Sequence, residues 1–191
     1  GKGCFFTGRR DQKSNWRNMI KISKTAFRWT ITLSRTNKAN AINMEMLTEL
    51  NSILDAAKKE EQLRSLIFTG EGKVFSAGAD LDAVKKNNEI TTTTQWEELS
   101  EKITDIPCLT LAALNGTLAG GAFGMVLACD LRIATPGANF FYPVLENNLL
   151  PQPNDIERMV DIAGISTSKL VLLAGQKISA QKALETNLIN E

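Results

Sequence analysis

An α/β fold is predicted for most of this 191-residue chain from two features of its sequence. Short apolar runs typical of buried strands alternate with longer stretches of helical periodicity. Two of those runs end in loops rich in glycine and alanine that lead directly into helices. The length suits one sizeable core, so we expect a single domain over residues 19–191 after an N-terminal extension at residues 1–18.

The first elements are the most clearly marked. Residues 19–24 and 27–35 predict two strands joined by a tight turn, since the second run alternates apolar and polar side chains. Residues 43–61 predict an amphipathic helix with Asn43 as its N-cap. The loop at 71–80 leads into a short helix. Further strands are predicted at 65–70, 108–116, 130–135 and 139–143, and further helices at 91–106, after Gly121, and in a helical C-terminal part at 154–164, 166–175 and 179–189.

Composition excludes several classes of function. The chain contains no histidine, which excludes Ser-His-Asp and Cys-His catalysis and every His-ligated metal site. A net charge of +1 without a basic half argues against nucleic acid as a partner. No apolar run is long enough for a membrane span. The three cysteines fit no metal or redox motif, so we expect reduced thiols in the cytoplasm or in an organelle matrix such as that of mitochondria.

Two loops share one design that suits the binding of negative charge. In FSAGADL (75–81) small residues follow a strand and Asp80 opens a helix, and in NGTLAGGAFG (115–124) Gly120 and Gly121 precede a helix. Glycine and alanine allow a ligand to approach the backbone, and free N–H groups at a helix start stabilise an anion. Two such donors on one carbonyl oxygen would form an oxyanion hole. Ordinary strand-to-helix turns are the alternative interpretation of each loop taken alone.

Four stretches carry a resemblance to a known family. They are SRTNKANAINMEML (34–47), LIFTGEGKVFSAGADL (66–81), AALNGTLAGGAFGMVLACDLRIAT (112–135) and LLAGQKISAQKALETNLIN (172–190). In this order the chain resembles the crotonase superfamily, the enoyl-CoA hydratase/isomerase group. The resemblance implies a crotonase-like spiral of ββα units and a homo-oligomer, a trimer or hexamer. Members of the family usually continue with further helices beyond the point that corresponds to Glu191, so the helical part looks truncated.

The resemblance also implies a ligand and the residues around it. The substrate would be an acyl thioester of coenzyme A, with no tightly bound cofactor and no metal. The backbone N–H groups of Ala79 and Gly121 would form the oxyanion hole for the thioester carbonyl. The positions that match the groove for coenzyme A and the acyl group are Asn40, Ala41, Ile42, Lys73, Ala77, Gly78, Gly120 and Val144.

The family's two catalytic glutamates are absent. Their positions correspond to Gly124 and Val144, neither of which can transfer a proton. Glu146 is the candidate substitute acid or base, while Asp155 and Tyr142 are weaker ones. We therefore expect an acyl-CoA enzyme with isomerase- or decarboxylase-like chemistry rather than standard hydration. The alternative is a catalytically inactive homologue that binds acyl-CoA or a partner subunit.

Overall fold

The described residues form two β-sheets and a set of helices that alternate with their strands, as the predicted α/β class requires. A computed structural model describes residues 19–87 and 89–191. The predicted extension at residues 1–18 lies outside the described residues. The first sheet has the strand order β1-β2-β3-β5-β7, and the second has the order β4-β6-β8-β9. Strands β1 and β2 are antiparallel, as are β8 and β9, whereas the other paired strands run parallel.

The elements have the following bounds. The strands are β1 (Ile20–Lys24), β2 (Arg28–Leu33), β3 (Ser65–Gly70), β4 (Val74–Ser76), β5 (Leu109–Leu114), β6 (Thr117–Ala119), β7 (Leu131–Ala134), β8 (Asn139–Phe141) and β9 (Ile178–Ser179). The helices are α1 (Met44–Ala57), α2 (Leu81–Asn87), α3 (Glu89–Thr92), α4 (Gln95–Thr104), α5 (Phe123–Leu127), α6 (Pro153–Ser168) and α7 (Ala180–Glu185).

From β3 onwards each repeat contributes one strand to each sheet and then a helix, whereas β1 and β2 of the first unit both lie in the first sheet. Strands β3 and β5 lie in the first sheet, while β4 and β6, which follow them after short turns, lie in the second. The turn between β5 and β6 packs closely on the turn between β3 and β4, since a Cβ added at Gly116 would overlap the carbonyl oxygen of Lys73. The predicted spiral of strand–strand–helix units is thereby confirmed, and it places successive strand-to-helix loops side by side.

Local signals explain several boundaries. Asn43 caps α1 as predicted, because its side chain accepts a hydrogen bond from the amide of Met46. Pro153 opens α6 at the first helical position, where its missing N–H costs nothing. Gly164 adopts φ 76° and ψ 159° within α6 and kinks it, which matches the predicted break between two helical segments.

Candidate active site

The two glycine-rich loops meet at Gly78. This residue has φ +88°, and a Cβ there would lie 2.7 Å from the carbonyl oxygen of Ala119 and 3.1 Å from the amide nitrogen of Gly121. Only glycine satisfies both the left-handed backbone and the close approach. The first loop, between β4 and α2, is therefore in direct contact with the second, between β6 and α5.

The segment before α1 fixes the direction of the first loop. Ile42 forms a parallel bridge with Ala79, in which the Ile42 amide donates to the Gly78 carbonyl and the Asp80 amide donates to the Ile42 carbonyl. In such a bridge the residue between the two bonded positions directs its own N–H away from the partner strand. Accordingly, the Ala79 amide donates no hydrogen bond to any other described residue.

Asp80 holds this loop at the start of α2, as predicted for an N-cap. Its side chain accepts a hydrogen bond from the amide of Asp82 at 3.0 Å and forms an ion pair with Arg35 at 2.7 Å. Burial raises the pKa of this carboxyl, but the hydrogen bonds from Arg35 and from the backbone amides of Asp82 and Ala83 outweigh that effect. The pKa of Asp80 therefore lies below its ordinary value, and the side chain is an anchor in its ionised form.

The second loop presents its amides at the start of a helical segment. Gly120–Ala122 form a 3₁₀ turn that continues into α5, and Gly120 has φ +54°. The first N–H groups of a helix have no partner within it, and the Gly121 amide has no bonded acceptor among the described residues. The ring of Trp96 covers the other side of Gly121, where a Cβ would meet it at 3.5 Å.

Both unbonded amides lie at one cavity of about 410 Å³. Its wall includes five of the predicted site residues, namely Ala77, Ala79, Gly120, Gly121 and Val144. The remainder of the wall is mostly apolar and comes from Ala39, Val74, Leu81, Thr117, Ala119, Phe141, Pro143, Asn147, Leu149 and Lys177. An apolar cavity with two unbonded backbone donors at its wall suits a carbonyl oxygen on an acyl chain.

Other predicted residues do not reach the cavity wall. Asn40 is fully buried, and its side-chain amide donates to the carbonyls of Glu71 and Val74. Ala41 and Ile42 are also buried and position the loop of Ala79. Lys73 is exposed in the turn before β4. In this segment Ala39 lines the cavity instead, and Ala39 and Asn40 both adopt positive φ.

Glu146, the predicted substitute acid, lies outside the cavity lining. Glu146 is exposed, and one of its carboxylate oxygens lies 3.2 Å from the position that a Cβ would take at Gly175. The 3₁₀ turn Leu145–Asn147 follows directly after Val144 and directs Glu146 away from it. An extended segment would have placed the two side chains on one face, and the helical turn prevents this.

Asp155 is the carboxylate that the structure brings to the second loop. It is 1% exposed, and it accepts a hydrogen bond of 2.6 Å from the hydroxyl of Tyr142. A Cβ added at Gly124 would lie 2.5 Å from Asp155 Oδ1. Burial raises the pKa of Asp155 to about 7, although the Tyr142 hydroxyl and Arg158 lower it. Sequence reasoning ranked Asp155 low because it is out of register with the family's acids.

Lys177 is a cavity residue that sequence reasoning did not identify. It comes from the segment before β9, and its ammonium lies 5.6 Å from the centre of the Phe141 ring.

The described residues contain no group of acidic, cysteine or histidine side chains that could hold a metal ion. No helix of the described part of the chain is long and apolar enough to cross a membrane. Cys108 and Cys129 are free thiols.

Comparison with known proteins gives the same family over nearly the whole domain. The family model described as enoyl-CoA hydratase/isomerase matches residues 28–191. The chain is 30% identical over 177 residues to the probable enoyl-CoA hydratase of Bacillus subtilis strain 168, covering 91% of this chain and 68% of that protein. A second relative from the same organism, YngF, is 32% identical over 163 residues, which cover 83% of this chain and 63% of YngF.

Solved structures with a similar fold point to the same family. The crystal structure of an enoyl-CoA hydratase from Bacillus anthracis superimposes with a TM-score of 0.83 at 31% identity, covering 90% of this chain and 69% of that one. Pseudomonas aeruginosa DspI gives 0.84 at 26% identity, with 95% and 70% covered. The chain thus spans about two thirds of the length of these relatives. With its two sheets and its paired glycine loops, it belongs to the enoyl-CoA hydratase/isomerase family.

Proposed function

We propose that the protein binds an acyl-CoA thioester in the cavity between the two loops and stabilises its enolate form. The thioester oxygen would accept hydrogen bonds from the amides of Ala79 and Gly121. The observation that carries this proposal is that both amides are unbonded at the wall of one apolar cavity. Two fixed donors stabilise a developing oxyanion more than a ground-state carbonyl, and this difference accelerates the reaction.

Chemistry through an enolate fits the side chains better than hydration does. Hydration by the family's route needs two carboxylates, one for water and one for the proton, and Gly124 and Val144 supply neither. Isomerisation moves one proton between two carbons of the acyl chain. Decarboxylation forms the enolate by loss of carbon dioxide and then needs one proton. We propose that isomerisation or decarboxylation of a CoA thioester is the reaction, with coenzyme A as part of the substrate.

An inactive binding protein is the second candidate function, and the same two missing carboxylates favour it. A panel of 2-enoyl-, 3-enoyl-, dienoyl- and malonyl-type CoA thioesters separates the two candidates when turnover and calorimetric binding are measured together. Turnover of any member supports an enzyme. Binding without turnover of any member supports the inactive homologue. If no member of the panel binds, both candidate functions are contradicted.

A pair of variants at Gly121 tests the oxyanion hole within that panel. Gly121→Pro removes the amide donor, whereas Gly121→Ala keeps it and places a methyl group at ordinary van der Waals distance from Trp96. Loss of one such donor costs about 10²–10³-fold in rate. We expect Gly121→Pro to lose turnover by that factor and Gly121→Ala to stay within a few-fold of the wild type. Equal activity of both variants and the wild type contradicts the assignment.

We also propose an assembly and a location for the protein. The resemblance favours a homo-oligomer, which light scattering on the purified chain would test. Relatives from Mus musculus and Dictyostelium discoideum carry mitochondrial names. An organelle matrix or the cytoplasm is therefore our proposed location, and imaging of a tagged protein would distinguish them.

A further inference from the structure

The carboxyl group of Asp155 on α6 packs into the space left by the missing side chain of Gly124 on α5. Gly124 is the second residue of α5, and Asp155 is the third residue of α6. An ideal Cβ at Gly124 would lie 2.5 Å from Oδ1 and 3.4 Å from Cγ of Asp155. No side chain at position 124 is compatible with this carboxylate in its place. The carboxyl group thus occupies the space where a side chain of residue 124 would begin.

This space lies one helical turn from the proposed oxyanion hole. Gly121 and Gly124 are three residues apart in a continuous helical segment, so they share one face. The ring of Trp96 lies over that face at Gly121, and the carboxylate of Asp155 lies over it at Gly124. Side chains at such positions are about 5–6 Å apart. Asp155 therefore lies one helical turn beyond Gly121. Neither Gly124 nor Asp155 is among the residues that line the cavity, so an acyl group held at Gly121 must extend past that residue to reach Oδ1.

The surroundings of Asp155 fix the carboxyl group. Oδ2 accepts the 2.6 Å hydrogen bond from Tyr142, whose ring stacks on Phe123 with centroids 5.3 Å apart. The two residues that flank Tyr142 in sequence, Phe141 and Pro143, line the cavity. A buried carboxyl group is costly to a fold unless it is hydrogen-bonded, and the Tyr142 hydroxyl supplies that bond at Oδ2.

The ionisable groups around Asp155 leave both of its protonation states accessible near neutral pH. Burial raises its pKa to about 7, with Glu97 of α4 acting in the same direction and Arg158 of α6 and Tyr142 acting against it. Burial and Asp155 raise the pKa of Tyr142 well above its ordinary value, so the phenol remains neutral and donates. A general base or acid works best when its pKa is near the working pH.

We propose that Asp155 is the proton-transfer group of this site and replaces, from α6, the carboxylate that α5 lacks. Tyr142 is the positioning residue that holds Oδ2 and leaves Oδ1 towards Gly124. This inference rests on the proposed function, because it needs an acyl thioester held by Ala79 and Gly121.

The step balances without any further reactant. The ionised Asp155 removes a proton from the carbon next to the thioester carbonyl: the C–H bond breaks, an O–H bond forms on Asp155, and the electron pair moves to the carbonyl oxygen. The neutral acid then returns the proton to carbon. Return to a different carbon shifts the double bond, and return to the same carbon gives exchange with solvent when Asp155 has exchanged its proton meanwhile.

Hydrogen–deuterium exchange of butyryl-CoA tests the proposal without depending on the natural substrate. The probe has no double bond, so exchange at its α-carbon in D₂O, followed by proton NMR, reports only enolate formation. Asp155→Asn should slow the exchange about 100-fold or more, the usual contribution of a general base. Calorimetric affinity for butyryl-CoA should stay within about threefold. Asp161→Asn, an exposed acid on the same helix, is the matched control and should leave the rate unchanged.

Tyr142→Phe provides a readout that a merely structural role would not move. Since the Tyr142 hydrogen bond lowers the pKa of Asp155, its loss should shift the midpoint of the pH–rate profile upward. This shift also tests the proposal if Asp155→Asn fails to fold, as judged by circular dichroism.

The outcomes separate the proton-transfer role from the proposed function. Wild-type exchange rates in Asp155→Asn overturn the role of Asp155, as does a loss of exchange in Glu146→Gln in place of Asp155→Asn. Binding of butyryl-CoA by the wild type without any exchange also overturns it, while leaving acyl-CoA binding intact. Absence of binding by the wild type overturns the proposed function itself.

Discussion

Adding one methyl group at Gly124 should destabilise the protein only while Asp155 is present. The new Cβ of Gly124→Ala would lie 2.5 Å from Oδ1, so the carboxyl group must rotate and lose its bond to Tyr142. A hydrogen bond that involves a potentially charged group contributes about 1.5–3 kcal/mol. Alanine is better than glycine in a helix by about 1 kcal/mol, which offsets part of the loss. We expect a net loss of about 1–2 kcal/mol.

The sign should reverse in an Asp155→Ala background. There the obstructing oxygen is gone, so Gly124→Ala should be neutral or stabilising by up to about 1 kcal/mol. Urea denaturation of the wild type, both single variants and the double variant gives the interaction energy between the sites, expected at about 1–3 kcal/mol. Gly137→Ala is the control, because a Cβ there meets nothing within 4 Å. Equal effects of Gly124→Ala in both backgrounds would refute the packing described for this pair.

Three further predictions follow from the same contacts. Gly78→Ala should cost about 2–4 kcal/mol and weaken acyl-CoA binding in calorimetry, because a left-handed backbone and a 2.7 Å overlap with the Ala119 carbonyl both oppose the methyl group; unchanged binding would contradict the contact between the loops. Asp80→Ala should lower the free energy of unfolding by about 2–4 kcal/mol in urea titrations, since it leaves Arg35 unpaired in a largely buried position; a loss below 0.5 kcal/mol would count against this anchor. The neutral form of Asp155 stabilises the fold fully below its unfolded pKa of about 4, and this contribution falls as pH rises to the folded pKa of about 7. Between pH 5.5 and 8.5 the wild type should lose about 2 kcal/mol more stability than Asp155→Asn, and parallel pH curves would exclude the shifted pKa.

The sequence predicted the elements with strong periodicity and missed those without it. The hairpin of β1 and β2, the helix capped by Asn43 and the buried strands β3 and β5 all form as expected. Strands β4 and β6 have only three residues each, beside glycine and alanine. Their pairing depends on partners far away in the chain, and no local pattern marks it.

Some residues of the site can likewise be recognised from the local sequence, whereas others are placed only by tertiary packing. The loops around Ala79 and Gly121 are recognisable because backbone donors need small residues, which the sequence shows directly. The position of Asp155 was not predictable, since 31 residues separate it from Gly124 and only helix packing brings the two together. Glu146 was a reasonable candidate for an extended chain, and the 3₁₀ turn at Leu145–Asn147 directs it elsewhere.

The most direct test of the account is the carbonyl stretching frequency of a bound thioester. Butyryl-CoA labelled with ¹³C at the thioester carbon allows the band to be isolated by isotope-edited infrared difference spectroscopy. Two hydrogen bonds from fixed amides polarise the carbonyl, so the band should move to a lower wavenumber on binding than in water. Most of this shift should disappear in Gly121→Pro and persist in Gly121→Ala. A bound carbonyl that absorbs at its frequency in water, or an equal shift in all three proteins, would contradict the oxyanion hole.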